Sequence, residues 1–99
     1  MQTFVMLSRI QPGAFSSSAE FKTTAAKVRK MIETEVPEAR WVGSWSLMGH
    51  YDVLDVFEAP NMQHAATVSA IVRFHAKCET ETMVGEDWSA FLTKAGKAS

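Results

Sequence analysis

The stretch Ser44-Trp45-Ser46-Leu47-Met48-Gly49-His50-Tyr51-Asp52-Val53-Leu54-Asp55-Val56-Phe57 constrains the fold more than any other part of the chain. Two runs carrying Trp, Val, Leu and Phe flank a short break at Met48-Gly49-His50. Residues of these types favour a pleated, packed surface. Glycine adopts positive φ at little steric cost, so it suits a tight reversal. The pattern predicts a β-hairpin with Gly49 at its tip. His50, Tyr51 and Asp52 then sit just after the turn, near one end of a sheet.

The flanking segments extend this reading. Thr3–Arg9 is a dense apolar run, expected to form a central strand buried on both faces. Gln11-Pro12-Gly13 ends it. Ser17 followed by Glu20 fits a capping box at the start of a helix. Phe21, Ala25, Val28 and Ile32 recur at helical spacing and form one apolar stripe. Pro37 ends that helix, because the residue before a proline avoids the α region. Trp41–Leu47 and Asp52–Glu58 are the two strands of the hairpin. Asn61 is the expected N-cap of a second helix, with Ala65, Val68 and Val72 inward. Lys77–Val84 alternates Thr with Glu, as an edge strand with one wetter face would. Glu86-Asp87 opens a short last helix in which Trp88, Phe91 and Leu92 share a face, and Gly96 is expected to close it.

The element order is therefore βαββαβ plus a C-terminal helix. Right-handed crossovers and the central hairpin lead to an α+β, ferredoxin-like fold. Its four-stranded antiparallel sheet has the order 4-1-3-2, with two helices on one face. Strands one and three are apolar on both sides, and strict alternation puts Trp41 and Trp45 on one side of strand two. The face without helices is then too apolar for a lone soluble chain. A second copy is expected to cover it, giving a dimeric α/β barrel with a cavity between two sheets.

Composition limits the function classes. Ninety-nine residues make a single domain, residues 1–99, which buries about 60–65% of its unfolded surface. Ten basic and eleven acidic residues leave a net charge of −1. Without a basic stripe, no nucleic-acid partner is expected. No apolar run is long enough to cross a membrane, and Met1–Arg9 lacks the pattern of a signal peptide. Cys78 is the only cysteine, so a reducing compartment, the cytoplasm, is expected.

Four pieces of sequence, taken in order, are similar to a known family. They are Phe4-Val5-Met6-Leu7, Gly49-His50-Tyr51-Asp52, Glu58-Ala59-Pro60-Asn61 and Glu79-Thr80-Glu81-Thr82. Together they resemble the GYD-domain family, named for a Gly-x-Tyr-Asp motif. The resemblance implies a ferredoxin-like fold of the dimeric α/β-barrel kind and no particular activity. Only the motif positions Gly49, Tyr51 and Asp52 carry over. His50 occupies the variable position, and Asn61 stands where Asp is common.

Among the candidate chemical residues, Asp55 is the most informative. A carboxylate in mid-strand must be paired or solvated, because burying it bare is costly. Alternation groups Tyr51, Val53, Asp55 and Phe57 on one face and the aliphatic Leu54 and Val56 on the other. The aliphatic face suits helices, so Asp55 is expected to look into the space between paired sheets with Met6, Ser8 and Trp45. Tyr51 and His50 would stand at its rim. An aromatic and sulfur-rich cavity with one acid resembles a small-molecule pocket. His75 and Cys78 lack the further ligands a metal site requires, and no nucleotide-binding or catalytic signature is present. No cofactor or metal is expected. Three readings follow: a homo-oligomeric domain binding a small apolar ligand, a cofactor-independent isomerase or monooxygenase using Asp55 or His50 with Tyr51, and an effector-sensing domain that acts through a partner protein.

Overall fold

A computed structural model describes residues 1–98. The chain runs β1 (Gln2–Ile10), α1 (Ser18–Glu35), β2 (Arg40–Ser46), β3 (Val53–Ala59), α2 (Met62–His75), β4 (Cys78–Gly85) and α3 (Trp88–Ala98). All strand pairs are antiparallel and the order is β2-β3-β1-β4. This is the expected ferredoxin-like sheet, with the two apolar strands β1 and β3 at its centre.

Local chemistry explains the helix ends. Ser17 Oγ accepts from the Glu20 N–H at 3.1 Å, capping α1. The Glu20 carboxylate does not complete the box on Ser17; it takes the Ser16 N–H and hydroxyl instead. Asn61 Oδ1 accepts from the His64 N–H and caps α2. In α3, Asp87 Oδ2 accepts from the Ala90 N–H. Gly96 does not close α3, which continues to Ala98. A single glycine inside a helix costs only about 1 kcal/mol, too little to stop it.

The core lies between the sheet and the two long helices. Phe4, Met6 and Phe57 rise from the sheet to meet Val28, Ile32, Val68 and Val72. The Phe57 ring, fully buried, stacks between Phe4 at 5.6 Å and Trp41 at 4.9 Å. Here the structure corrects the facing. The face carrying Phe4, Met6, Ser8, Asp55 and Phe57 is the one the helices cover, and Leu54 and Val56 lie on the open face. Alternation identifies which residues share a face but not which face turns inward. The large aromatic rings won that competition because they bury more apolar area than Leu54 and Val56 would.

A second correction concerns β2. Trp41 pairs with Phe57, whereas Gly43 pairs with Val56, so Val42 is an extra residue. A β-bulge of this kind reverses the alternation beyond it. Trp41 faces the helices, and Trp45, opposite Leu54, lies half-exposed on the open face. Gly43 makes room for the Trp45 ring, since a Cβ there would fall 2.7 Å from Trp45 Cη2.

The motif corner binds β1 to the hairpin. Gly49 has φ +148°, a conformation that L side chains rarely adopt. Asp52 makes three contacts: its N–H donates to Ser8 O, its carbonyl accepts from Leu47 N–H, and its Oδ2 accepts from Ile10 N–H, each at 2.8 Å. Asp52→Ala strips the acceptor from the half-buried Ile10 N–H. Leaving such a donor unpaired costs about 1–3 kcal/mol, so urea unfolding is expected to show a loss of that order, with no change in a ligand site elsewhere.

Candidate functional site

Three surfaces carry the residues singled out by sequence, and the structure separates them. The first is the hairpin corner on the open face. Arg9 Nη1 donates to His50 Nε2 at 3.4 Å and Arg9 pairs with Glu79 at 3.9 Å. The Tyr51 hydroxyl donates to Glu81, and that hydrogen bond, ahead of burial, pushes the phenol pKa above its ordinary value. His50 and Tyr51 meet edge to face at 4.9 Å. Both residues are held by an exposed polar network on the opposite side of the sheet from Asp55. They therefore do not converge with it into one acid–base site.

The second surface is the rest of the open face. Val5, Leu7, Leu54 and Val56 form its half-buried centre, flanked by the exposed Trp45 and Met83. Arg40 with Glu58 and Arg9 with Glu79 pair at its two ends.

The third is a cavity of about 580 Å³ between α1 and the helix-covered face of the sheet. It exists because α1 leans on α2 and stands off the strands. The apolar stripe of α1 consequently divides: Val28 and Ile32 are buried, while Phe21 and Ala25 stay exposed along the cavity wall. Phe15, edge-on to Phe21 at 5.3 Å, continues that wall through the loop before the helix. The Lys77 amine donates to Ala14 O and stands 5.7 Å from the Phe15 ring centre, holding the loop in place.

Asp55 and Ser8 line this cavity, inside one chain, rather than a space between sheets. Met6 is fully buried in the core beside them, and Trp45 lies on the far side of the sheet. The bulge at Val42 supplies Asp55 with its partner. By turning Ser44 inward, it places Ser44 opposite Asp55. Trp41 Nε1 donates to Ser44 Oγ at 2.8 Å, and the Ser44 hydroxyl donates to Asp55 Oδ1 at 2.5 Å. Trp41 also acts as a donor toward the Asp55 carboxylate.

Burial raises the Asp55 pKa above the usual carboxylate value; the Ser44 and Trp41 donors and the Arg29 charge oppose it without prevailing. Linkage gives the sign of the consequence. A carboxyl with a raised folded-state pKa binds its proton more tightly in the folded chain. Its stabilising contribution is complete in acid and is lost as pH rises through the folded value. Asn at this position still accepts from Ser44 but carries no charge to desolvate. Asp55→Asn is therefore expected to melt higher than the wild type at pH 7, by roughly a few degrees, since 1 kcal/mol moves Tm by about 4–8 °C in a domain of this size. The difference should shrink as pH falls toward 4, read by calorimetry.

Ser8 and Cys78 also line the cavity. Ser8 Oγ is buried and has no hydrogen-bond partner among the described residues, although such a group ordinarily finds one and costs about 1–3 kcal/mol when it does not. Cys78 is buried, and burial, followed by the Asp52 and Asp55 charges, pushes its thiol up to about 11. It is held as the thiol at neutral pH and forms part of the cavity wall. Arg29 and Glu33 are largely exposed and pair at 3.6 Å at the cavity rim. The signal for this site was present in Gly43: a glycine inside a strand marks a bulge or a close approach, and the bulge decides which side Ser44 and Trp45 take.

Comparison with known proteins supports the fold. The family model for the GYD domain matches residues 4–93. The chain belongs to the GYD-domain family. Three of the four family-like pieces fall in strands or strand ends, and the GYD motif itself is the corner where Asp52 ties the hairpin to β1. No curated protein matches the chain. No helix among the described residues is long and apolar enough to cross a membrane.

Proposed function

We propose that this GYD domain is a small-molecule-binding domain whose ligand occupies the cavity between α1 and the sheet. One observation carries the reading. The chain holds α1 off the sheet and leaves the apolar Phe15, Phe21 and Ala25 along a void of about 580 Å³, within the range of about 300–1,000 Å³ typical of ligand pockets. A helix normally gains most of its stability by packing its apolar face, so an unfilled stripe needs an occupant. Asp55 supplies the few polar contacts that fix orientation in such pockets. N-phenyl-1-naphthylamine, an uncharged fluorescent probe, should bind saturably at one per chain; no saturable binding would remove the reading.

We also propose that the domain works as a homodimer through its open face. The apolar centre formed by Val5, Leu7, Leu54 and Val56, with Trp45 beside it, is the kind of contiguous patch that marks an interface. Charged pairs at its ends match the polar rim such interfaces carry. Light scattering at micromolar concentration should report twice the chain mass of 11.0 kDa. Leu7→Glu places a charge in the centre of the patch and should yield a folded monomer. A wild-type chain that scatters as a monomer contradicts the dimer and leaves the cavity untouched.

A further inference from the structure

We infer that the polar end of the cavity seats a hydroxyl group. Its occupant is a neutral, mostly apolar alcohol or phenol, whose O–H donates to the Asp55 carboxylate and whose oxygen accepts from Ser8 Oγ. The inference rests on the cavity being a ligand site, and it names the class of ligand.

Both side chains keep hydrogen-bonding capacity to spare. Ser8 Oγ is buried at the cavity wall with a hydrogen to donate and no acceptor for it among the described residues. Asp55 accepts from Ser44 at Oδ1 and has Trp41 as a second donor; a carboxylate offers about four acceptor sites, so the residue, which lines the cavity, keeps acceptor capacity toward it. The register makes them neighbours. Asp55 pairs with Met6 and Ser8 with Val53, so Asp55 and Ser8 are diagonal residues on adjacent strands, on one face. Diagonal side chains start about 7–8 Å apart or somewhat less. Two hydrogen bonds of about 2.8 Å through a single oxygen reach across roughly 5 Å, and the side chains cover the remainder. The site thus offers one donor and one acceptor to a single atom between them.

A hydroxyl is the group that both gives and accepts a hydrogen bond at one atom. A carboxylate would satisfy Ser8 but repel Asp55. An ammonium would satisfy Asp55 but leave the Ser8 hydrogen unpaired, and Arg29 at the rim adds repulsion. A plain hydrocarbon serves neither group. A water molecule could make the same two bonds, but it leaves the wall of Phe15, Phe21 and Ala25 unfilled. The raised pKa of Asp55 agrees with a site that receives a neutral ligand.

The test uses four probes of one shape on the full chain: 4-butylphenol, butylbenzene, 4-butylbenzoate and 4-butylbenzylamine, with affinities read by calorimetry or NMR titration. The expected result is that 4-butylphenol binds at least tenfold tighter than each of the others. Ser8→Ala and Asp55→Asn should reduce its lead over butylbenzene to within about threefold. Ser8→Ala removes a hydroxyl without a partner among the described residues, so its melting temperature should not fall, and a lost preference cannot then be blamed on unfolding. Butylbenzene binding as tightly as the phenol overturns the hydroxyl site but keeps the cavity as a ligand site. So does tightest binding by the amine or the carboxylate, or a phenol preference that survives both substitutions. If none of the four binds while N-phenyl-1-naphthylamine does, this inference falls and the cavity stays a ligand site; if that probe does not bind either, the proposed function falls as well.

Discussion

Phe57→Ala is expected to cost about 3–5 kcal/mol, the range for removing a fully buried aromatic ring, and to bring the domain close to unfolding. The size of the effect follows from where the ring sits. Phe57 is completely buried. It is the middle member of a three-ring stack, 5.6 Å from Phe4 and 4.9 Å from Trp41, nearly parallel to the latter at 9°. Each such aromatic pair contributes about 0.5–1.5 kcal/mol beyond the area it buries. The stack also joins three strands: Phe4 on β1, Phe57 on β3 and Trp41 on β2. Its removal loosens the β2 edge, and with it the Trp41–Ser44–Asp55 chain. Domains of this kind have about 5–15 kcal/mol in all, so the loss is a large part of the total. Urea denaturation followed by tryptophan fluorescence checks it. With a slope of about 1–3 kcal/mol per molar, the midpoint should fall by at least about 1 M. A shift below about 0.3 M would mean that the stack does not hold the sheet together.

The second large effect concerns binding and leaves stability alone. Ala25→Trp should abolish occupancy of the cavity. Ala25 lies on α1, exposed, with its methyl against the void. An indole there enters space that no side chain fills, so it does not overpack the core formed by Val28 and Ile32 on the same stripe. Tryptophan has a moderate helix propensity, at a cost below about 0.7 kcal/mol, which the buried indole area should offset. Probe affinity is therefore expected to fall at least tenfold while the melting temperature stays within a few degrees of the wild type.

Much of the fold was legible in the sequence. Helical spacing of Phe21, Ala25, Val28 and Ile32, the Ser17 and Asn61 caps, and Gly49 between two apolar runs each report local geometry. Local geometry plus handedness rules fixes the order β2-β3-β1-β4. The site was less legible, for two physical reasons. Alternation along β3 sorts Asp55 and Phe57 from Leu54 and Val56, but a period of two is blind to which set faces the helices. The Phe4–Phe57–Trp41 stack decides that, and it is a property of three strands together. The extra residue at Val42 then reverses β2, bringing Ser44 to Asp55 and sending Trp45 to the open face. Only Gly43 hinted at it. Asp55, Ser8 and Met6 were grouped on one face, as they are, but that face was turned to the wrong side of the sheet. His50 and Tyr51 stayed at the corner where the hairpin put them, engaged with Arg9 and Glu81. The standing-off of α1 has no local signature at all, because it depends on how α1 leans against α2.

The measurement that reaches the central claim most directly is a fluorescence titration of N-phenyl-1-naphthylamine into the wild type, Ala25→Trp and Leu7→Glu. If the ligand site lies under α1 within one chain, binding is lost in Ala25→Trp and kept in Leu7→Glu. Binding that survives Ala25→Trp and disappears in Leu7→Glu would place the site between paired sheets and contradict this account.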